Sequence, residues 1–259
     1  MALFQSTDDK EGRAHEQTTS EAALVIAARP PGTKRKWLIG VIAISLLLLI
    51  VWMSVTRKGQ QESSFALSNL LKAAEQGDAG SQSELAEAYR WGLGVQQNDV
   101  EAAKWFRKAA ERGNAEAGYT LGSMYERGEG VKQDYVEATK WYRKAADQGN
   151  ALAQNNLGVI YDQRVLQNYA EATKWYRKAA DQGDAAAQFN LGVMYDKGKG
   201  VTQDSVQALM WFTLSAAGSK GEEQAEAAKF RDSISKKMTP QQIAEAQRLA
   251  REWKPKPAE

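Results

Sequence analysis

The chain has no cysteine, and its one histidine, His15, lies in a polar N-terminal stretch. The first absence excludes disulfide frameworks, zinc ribbons, thiol catalysis and iron–sulfur clusters. The second leaves no material for a multi-histidine metal site or a histidine-based triad, so no catalytic, metal or cofactor residues are assigned. Charge of one sign is also lacking: 34 Lys and Arg against 32 Asp and Glu leave +2. A dedicated nucleic-acid binder would carry a strong basic excess. Only 5 of the 259 residues are proline, while alanine is abundant, which suits a helical protein.

What is present begins with one long apolar run. Trp37 to Thr56 holds 20 residues without a charge. As a helix it would span roughly 30 Å, the thickness of a bilayer core. Trp37 and Trp52 lie near its ends, where aromatic rings favour the headgroup layer. The 36 residues before it are too many for a signal peptide, and Thr56-Arg57-Lys58-Gly59 offers no small-residue cleavage site. The run therefore reads as an uncleaved transmembrane signal anchor at 37–56, after a disordered tail at 1–36 and before a linker at 57–63. Lys10, Arg13, Arg29, Lys34, Arg35 and Lys36 precede it, and only Arg57 and Lys58 follow closely. The positive-inside rule then expects a cytoplasmic N-terminus and, in a bacterium, a single-pass inner-membrane protein with its C-terminal part in the periplasm.

After the linker the sequence repeats. Trp105, Trp141, Trp175 and Trp211 are spaced by 36, 34 and 36; Tyr89, Tyr125, Tyr161 and Tyr195 by 36, 36 and 34. A fixed period in this range marks a stacked solenoid, and the two-residue loss falls between Tyr161 and Trp175. Each unit reads as two helices. Helix A is clearest at 115–127, where Ala117, Leu121 and Tyr125 recur every four residues. Gly122, Gly158 and Gly192 share one position on it, which implies that the facing helix backbone comes close. Helix B is clearest at 134–148, with Ala138, Trp141, Tyr142 and Ala145 as its apolar face. Asn98, Asp134, Asn168 and Asp204 each precede a Glu or Gln by three, the spacing of an N-cap and its N3 residue. The glycine loops 92–95, 128–131 and 198–201 join A to B and end in a valine suited to the core. Unit three lacks this loop, reading Arg164-Val165-Leu166-Gln167, and its turn is expected to be tighter or displaced.

These positions resemble the Sel1-like repeat, a relative of the tetratricopeptide repeat. The segment 115–149 carries Ala115, Ala117, Leu121, Gly122, Tyr125, Gly128, Gly130, Val131, Asp134, Ala138, Trp141, Tyr142, Ala145, Ala146 and Gly149 in that pattern. Repeats are read at 79–113, 115–149, 151–183 and 185–219. Lys72 to Gly77 repeats the end of helix B, so 64–76 is taken as an N-terminal capping helix. The stretch 220–259 is taken as capping helices and tail, with Thr239 as N-cap and Pro240 in the first turn of the last helix. The resulting fold class is all-α: an α/α solenoid behind one transmembrane helix.

Little else carries chemistry. Lys-Trp-Tyr-Arg-Lys at 140–144 and 174–178 interleaves basic and aromatic residues, as base-stacking surfaces do. The rings, however, fall on the apolar face, and the charges on the outer one, where Glu137 pairs with Lys140 and Arg143 with Asp147. After position 58 there are 26 basic and 27 acidic residues. Nucleic acid is therefore not expected as a partner.

A membrane-anchored scaffold that binds another protein or a peptide on its concave face follows from this architecture. The positions of the A helices away from the Ala/Leu/Tyr stripe are Tyr119, Thr120 and Ser123; Asn155, Asn156 and Val159; Phe189, Asn190 and Val193. Asn156 and Asn190 suit an extended peptide backbone, and Tyr119 and Phe189 suit apolar side chains, unless these rings pack between repeats. The resemblance implies non-enzymatic adaptor roles in envelope assembly, secretion, polysaccharide export or signalling. It also admits a periplasmic β-lactam- or peptidoglycan-related binding protein or hydrolase, although the cysteines of that branch are missing. An inverted topology would make the chain a cytoplasm-facing adaptor.

Overall fold

Polar side chains accepting backbone N–H groups open almost every helix of this protein. The computed structural model describes residues 65–164 and 167–257. The segments read as tail, anchor and linker lie outside the described residues. Among those described, no helix is long and apolar enough to cross a membrane.

Helix α1 covers residues 65–75. Unit one pairs α2 (Ala79–Trp91) with α3 (Asp99–Glu111), and unit two pairs α4 (Ala115–Arg127) with α5 (Tyr135–Ala146). In unit three α6 (Ala151–Val159) passes into a π-helical stretch, Ile160–Arg164, before α7 (Tyr169–Asp181). Unit four pairs α8 (Ala185–Lys197) with α9 (Ser205–Gly218), and α10 (Gly221–Ser235) and α11 (Pro240–Glu252) follow. From α2 to α10 each helix packs on its neighbours in sequence, and α11 folds back on α9. The result is an all-helical repeat solenoid, with no strand among the described residues.

The caps explain the boundaries. Asn98, Asp134, Asn168 and Asp204 accept N–H groups from the first turns of α3, α5, α7 and α9. Their own N–H groups donate not to the N3 side chain but to the carbonyls of Tyr89, Tyr125, Tyr161 and Tyr195, at 2.8–3.0 Å. The A helices carry caps of their own, Asp78, Asn114, Asn150 and Asp184. Each such cap contributes about 1 kcal/mol. Thr239 completes a reciprocal capping box with Gln242, with Pro240 beside it.

Packing corrects one expectation. What lies against Gly122, Gly158 and Gly192 is an aromatic ring on helix B of the same unit, not a helix backbone. A Cβ there would stand 2.7 Å from Tyr142, 2.5 Å from Tyr176 and 2.8 Å from Phe212. A flat ring fills the space where a side chain would begin, so glycine sets the A–B spacing. Arg143 corrects another. It is half-buried and donates to the Tyr161 hydroxyl of the next unit, with its guanidinium 5.5 Å from the Trp175 ring. Arg107 to Tyr125 and Arg177 to Tyr195 repeat this link at the flanking seams. The buried ring pulls the cation inward, because a desolvated guanidinium gains more from a hydroxyl and a π face than from an exposed Asp147. Glu137 and Lys140 do pair on the surface, at 3.3 Å.

In unit three the shortened connection keeps the Asn168 N–H bond to the Tyr161 carbonyl, so the whole deletion falls in the loop. The wider π turn and a left-handed Gln167 (φ 44°) absorb it. That conformation costs a non-glycine residue roughly 1–2 kcal/mol. At the far end Trp253 meets Trp211 edge-on, and Lys256 reaches back to Asp181 at 3.1 Å.

Candidate partner-binding surface

The nine residues singled out on the A helices form three equivalent positions repeated over units two to four. The first holds Tyr119, Asn155 and Phe189; the second Thr120, Asn156 and Asn190; the third Ser123, Val159 and Val193. Thr120 and Ser123 are buried, and the other seven are half-buried.

In unit two these residues gather around one phenol. The Tyr142 hydroxyl donates to Glu126 at 2.7 Å, and the side chains of Ser123 and Asn156 act on the same group. Burial first, and then the Glu126 carboxylate, push this phenol well above the usual tyrosine range. Tyr119 tilts over the same ring at 5.9 Å, and burial raises its phenol too. Asn156 thus faces the unit-two phenol, while Asn190 donates to Asn155 across the next seam at 3.1 Å. The two amides read as a matched pair thus have different partners. Asn190 keeps one N–H and its carbonyl free of that bond, which is what an extended backbone needs.

Between units three and four the surface opens. A cavity of about 450 Å³ is lined by Phe189, Asn190, Val193 and Met194 of α8, with Phe230 of α10 behind them. Asp162, Lys197, Lys199 and Glu226 supply both signs of charge at its walls. Phe189 sits edge-on to Phe230 at 5.0 Å and tilted to Phe212 at 5.6 Å, so its ring both packs inward and floors the cavity. The structure thus brings together Phe189, Asn190 and Val193 and leaves Tyr119 and Ser123 in a separate cluster around Tyr142, with Thr120 buried. Sequence reading missed Phe230 because α10 lies beyond the repeat register. Asp162 was findable, since it follows Tyr161 as Glu126 follows Tyr125.

Trp141, Tyr142, Trp175 and Tyr176 are at most 6% exposed, so they cannot stack on bases. Among the described residues no group of His, Cys, Asp or Glu is placed to hold a metal ion.

The Sel1 repeat model matches residues 60–78, 79–114, 115–150, 151–184 and 185–219. The first, partial match contains α1. No functionally curated protein matches the chain. Among solved structures, a Sel1 repeat protein from Oxalobacter formigenes is 32% identical, with a TM-score of 0.59 over 71% of this chain and 83% of that one. A protective antigen with an SLR fold from uropathogenic Escherichia coli, c5321, is 25% identical over 71% of this chain and 62% of that one, with a TM-score of 0.26. The immunity protein Pa5087 from Pseudomonas aeruginosa is 22% identical over 71% and 73%, with a TM-score of 0.41. Five tandem matches across 60–219 on this helical stack place the chain in the Sel1 repeat family, whose members are generally protein–protein interaction scaffolds.

Proposed function

We propose that this protein is a membrane-anchored, non-enzymatic scaffold that holds an extended segment of a partner protein on its A-helix face, at the cavity between units three and four. The observation that carries this reading is the convergence there of Phe189, Val193 and Met194 as an apolar floor with Asn190 beside them. An apolar pocket takes an anchoring side chain, and a carboxamide can donate to and accept from the peptide backbone next to it. Raised phenols and paired amides bind and position; none supplies a nucleophile with an adjacent base.

The anchor is the uncharged run Trp37–Thr56. The excess of Lys and Arg before it supports a cytoplasmic N-terminus and a periplasmic solenoid in a bacterial inner membrane. Affinity capture with the full chain, solubilised in mild detergent, tests the binding role. A specific partner lost with Asn190→Ala combined with Val193→Asp, but kept with Lys140→Ala on the outer face, supports the cavity; retention with the double variant removes it. A periplasm-only reporter fused after Glu259 is expected to be active, and activity of a cytoplasm-only reporter instead would reverse the topology.

A further inference from the structure

Seven large apolar side chains remain exposed among the described residues, and they are not scattered. Phe65, Trp91, Leu93, Val100, Tyr135 and Val136 lie along one edge of the solenoid, where the A–B loops meet the starts of the B helices; Leu152, at the start of an A helix, lies on the other. The edge is continuous. A Cβ on Gly130 would collide with the Asp99 carbonyl, so the second loop rests on the start of α3. Arg90, one residue before Trp91, is 3.6 Å from Glu129 in that loop. A Cβ on Gly94 would be 3.9 Å from Leu67 of α1, two residues from Phe65. Farther along, the equivalent Tyr169 and Val206 are half-buried, so the apolar exposure belongs to the N-terminal half.

We propose that this loop edge rests on the bilayer, with Phe65, Trp91 and Leu93 in the interfacial layer. The inference depends on the anchor at 37–56. Eight residues, 57–64, separate that run from Phe65, and even fully extended they reach no more than about 29 Å. A tether of that length leaves the start of α1 within reach of the membrane. Its side chains suit lipid: Phe65, Trp91 and Val136 are 63–75% exposed and protrude from the edge. Lipid requires only apolar groups that reach it. Trp91 has the amphipathic form found at interfaces, with its Nε1 donating to Glu87 at 2.7 Å and the Arg90 guanidinium 5.1 Å from its ring. Seating this edge would fix the tilt of the solenoid and hold the A-helix cavity at a set orientation to the membrane.

The absence of cysteine makes the test direct. Full-length Phe65→Cys, Leu93→Cys, Leu152→Cys and Leu47→Cys variants are each nitroxide-labelled and reconstituted into phosphatidylethanolamine–phosphatidylglycerol vesicles. Relaxation by dissolved oxygen and by a water-soluble nickel chelate then reports the depth of each label. Labels at 65 and 93 are expected to gain severalfold in the ratio of oxygen to nickel collisions relative to the label at 152. Labels at 65 and 93 that match 152 would overturn the proposal, as would labels shielded from both reagents, which would mean cover by protein. The label at 47 separates the two claims. Lipid-like at 47 with water-like at 93 removes the edge alone; water-like at 47 removes the anchor and the edge together.

Discussion

Units two and three share most of their helix B residues, yet differ in how one buried phenol is satisfied. In unit two the Tyr142 hydroxyl is bonded to Glu126, with Ser123 and Asn156 around it. In unit three Tyr176 is equally buried, and its hydroxyl has no partner among the described residues; Asp162 acts on it only through its charge. The indole of Trp141 donates to Glu137, while that of Trp175 has no partner among the described residues. Against this, the Arg–Tyr link across the seam and the bond from the N-cap to the tyrosine carbonyl are the same in both units. A two-residue deletion thus leaves the stacking untouched and is felt by the polar groups at the end of helix A. The stacking depends on residues before the deletion point and on helix B, whereas the position of Asp162 depends on the π turn that absorbs the missing residues.

The largest expected effect asks whether the stacking is as strong in both units. Trp141→Ala and Trp175→Ala should each lower unfolding free energy by about 3–5 kcal/mol in urea melts, because both rings are buried. A difference of more than about 1.5 kcal/mol between them would mean that the deletion loosens unit three. Next come the seams. Arg143→Ala and Arg177→Ala should each cost about 1.5–3 kcal/mol, the range for a charged hydrogen bond, and a negligible cost for Arg143→Ala would show the unit two–three seam to be slack. Smaller again is Tyr142→Phe, expected to cost about 1.5 kcal/mol, the low end of that range, through the loss of the bond to the half-buried Glu126 carboxylate. Tyr176→Phe is expected to lie within about 0.5 kcal/mol of the parent or to stabilise it, since the hydroxyl it removes has no partner among the described residues. Phenylalanine already fills this position at Phe106 and Phe212. Replacing residues 164–167 with the loop sequence of 128–133 sharpens the contrast: in that background Tyr176→Phe should become as costly as Tyr142→Phe. If it stays neutral, the loop length is not what withholds the partner.

Much of this was legible beforehand. The helix pairs and the helix B caps follow from local rules, and a residue repeated four times reports its role with little ambiguity. The cluster of Tyr142, Ser123 and Asn156 was half visible, since the residues were named but their common target was not. The cavity was less so. Phe189, Asn190 and Val193 were recognised by register, whereas Phe230 joins them from a helix that carries no repeat. Arg143 was misread because a charge on an outer helix position has a surface partner in sequence, and the partner it takes in space is eighteen residues away.

By itself, the sequence determined the solenoid: period, apolar stripes and caps act within a few residues, so short-range chemistry is enough to specify them. Only the tertiary structure decided why the A-helix glycines are needed, which amides are already engaged, and where the A-helix surface opens. Those depend on how one helix's side chains meet another's across a seam, and the same two residues removed or retained move such contacts without altering any local rule.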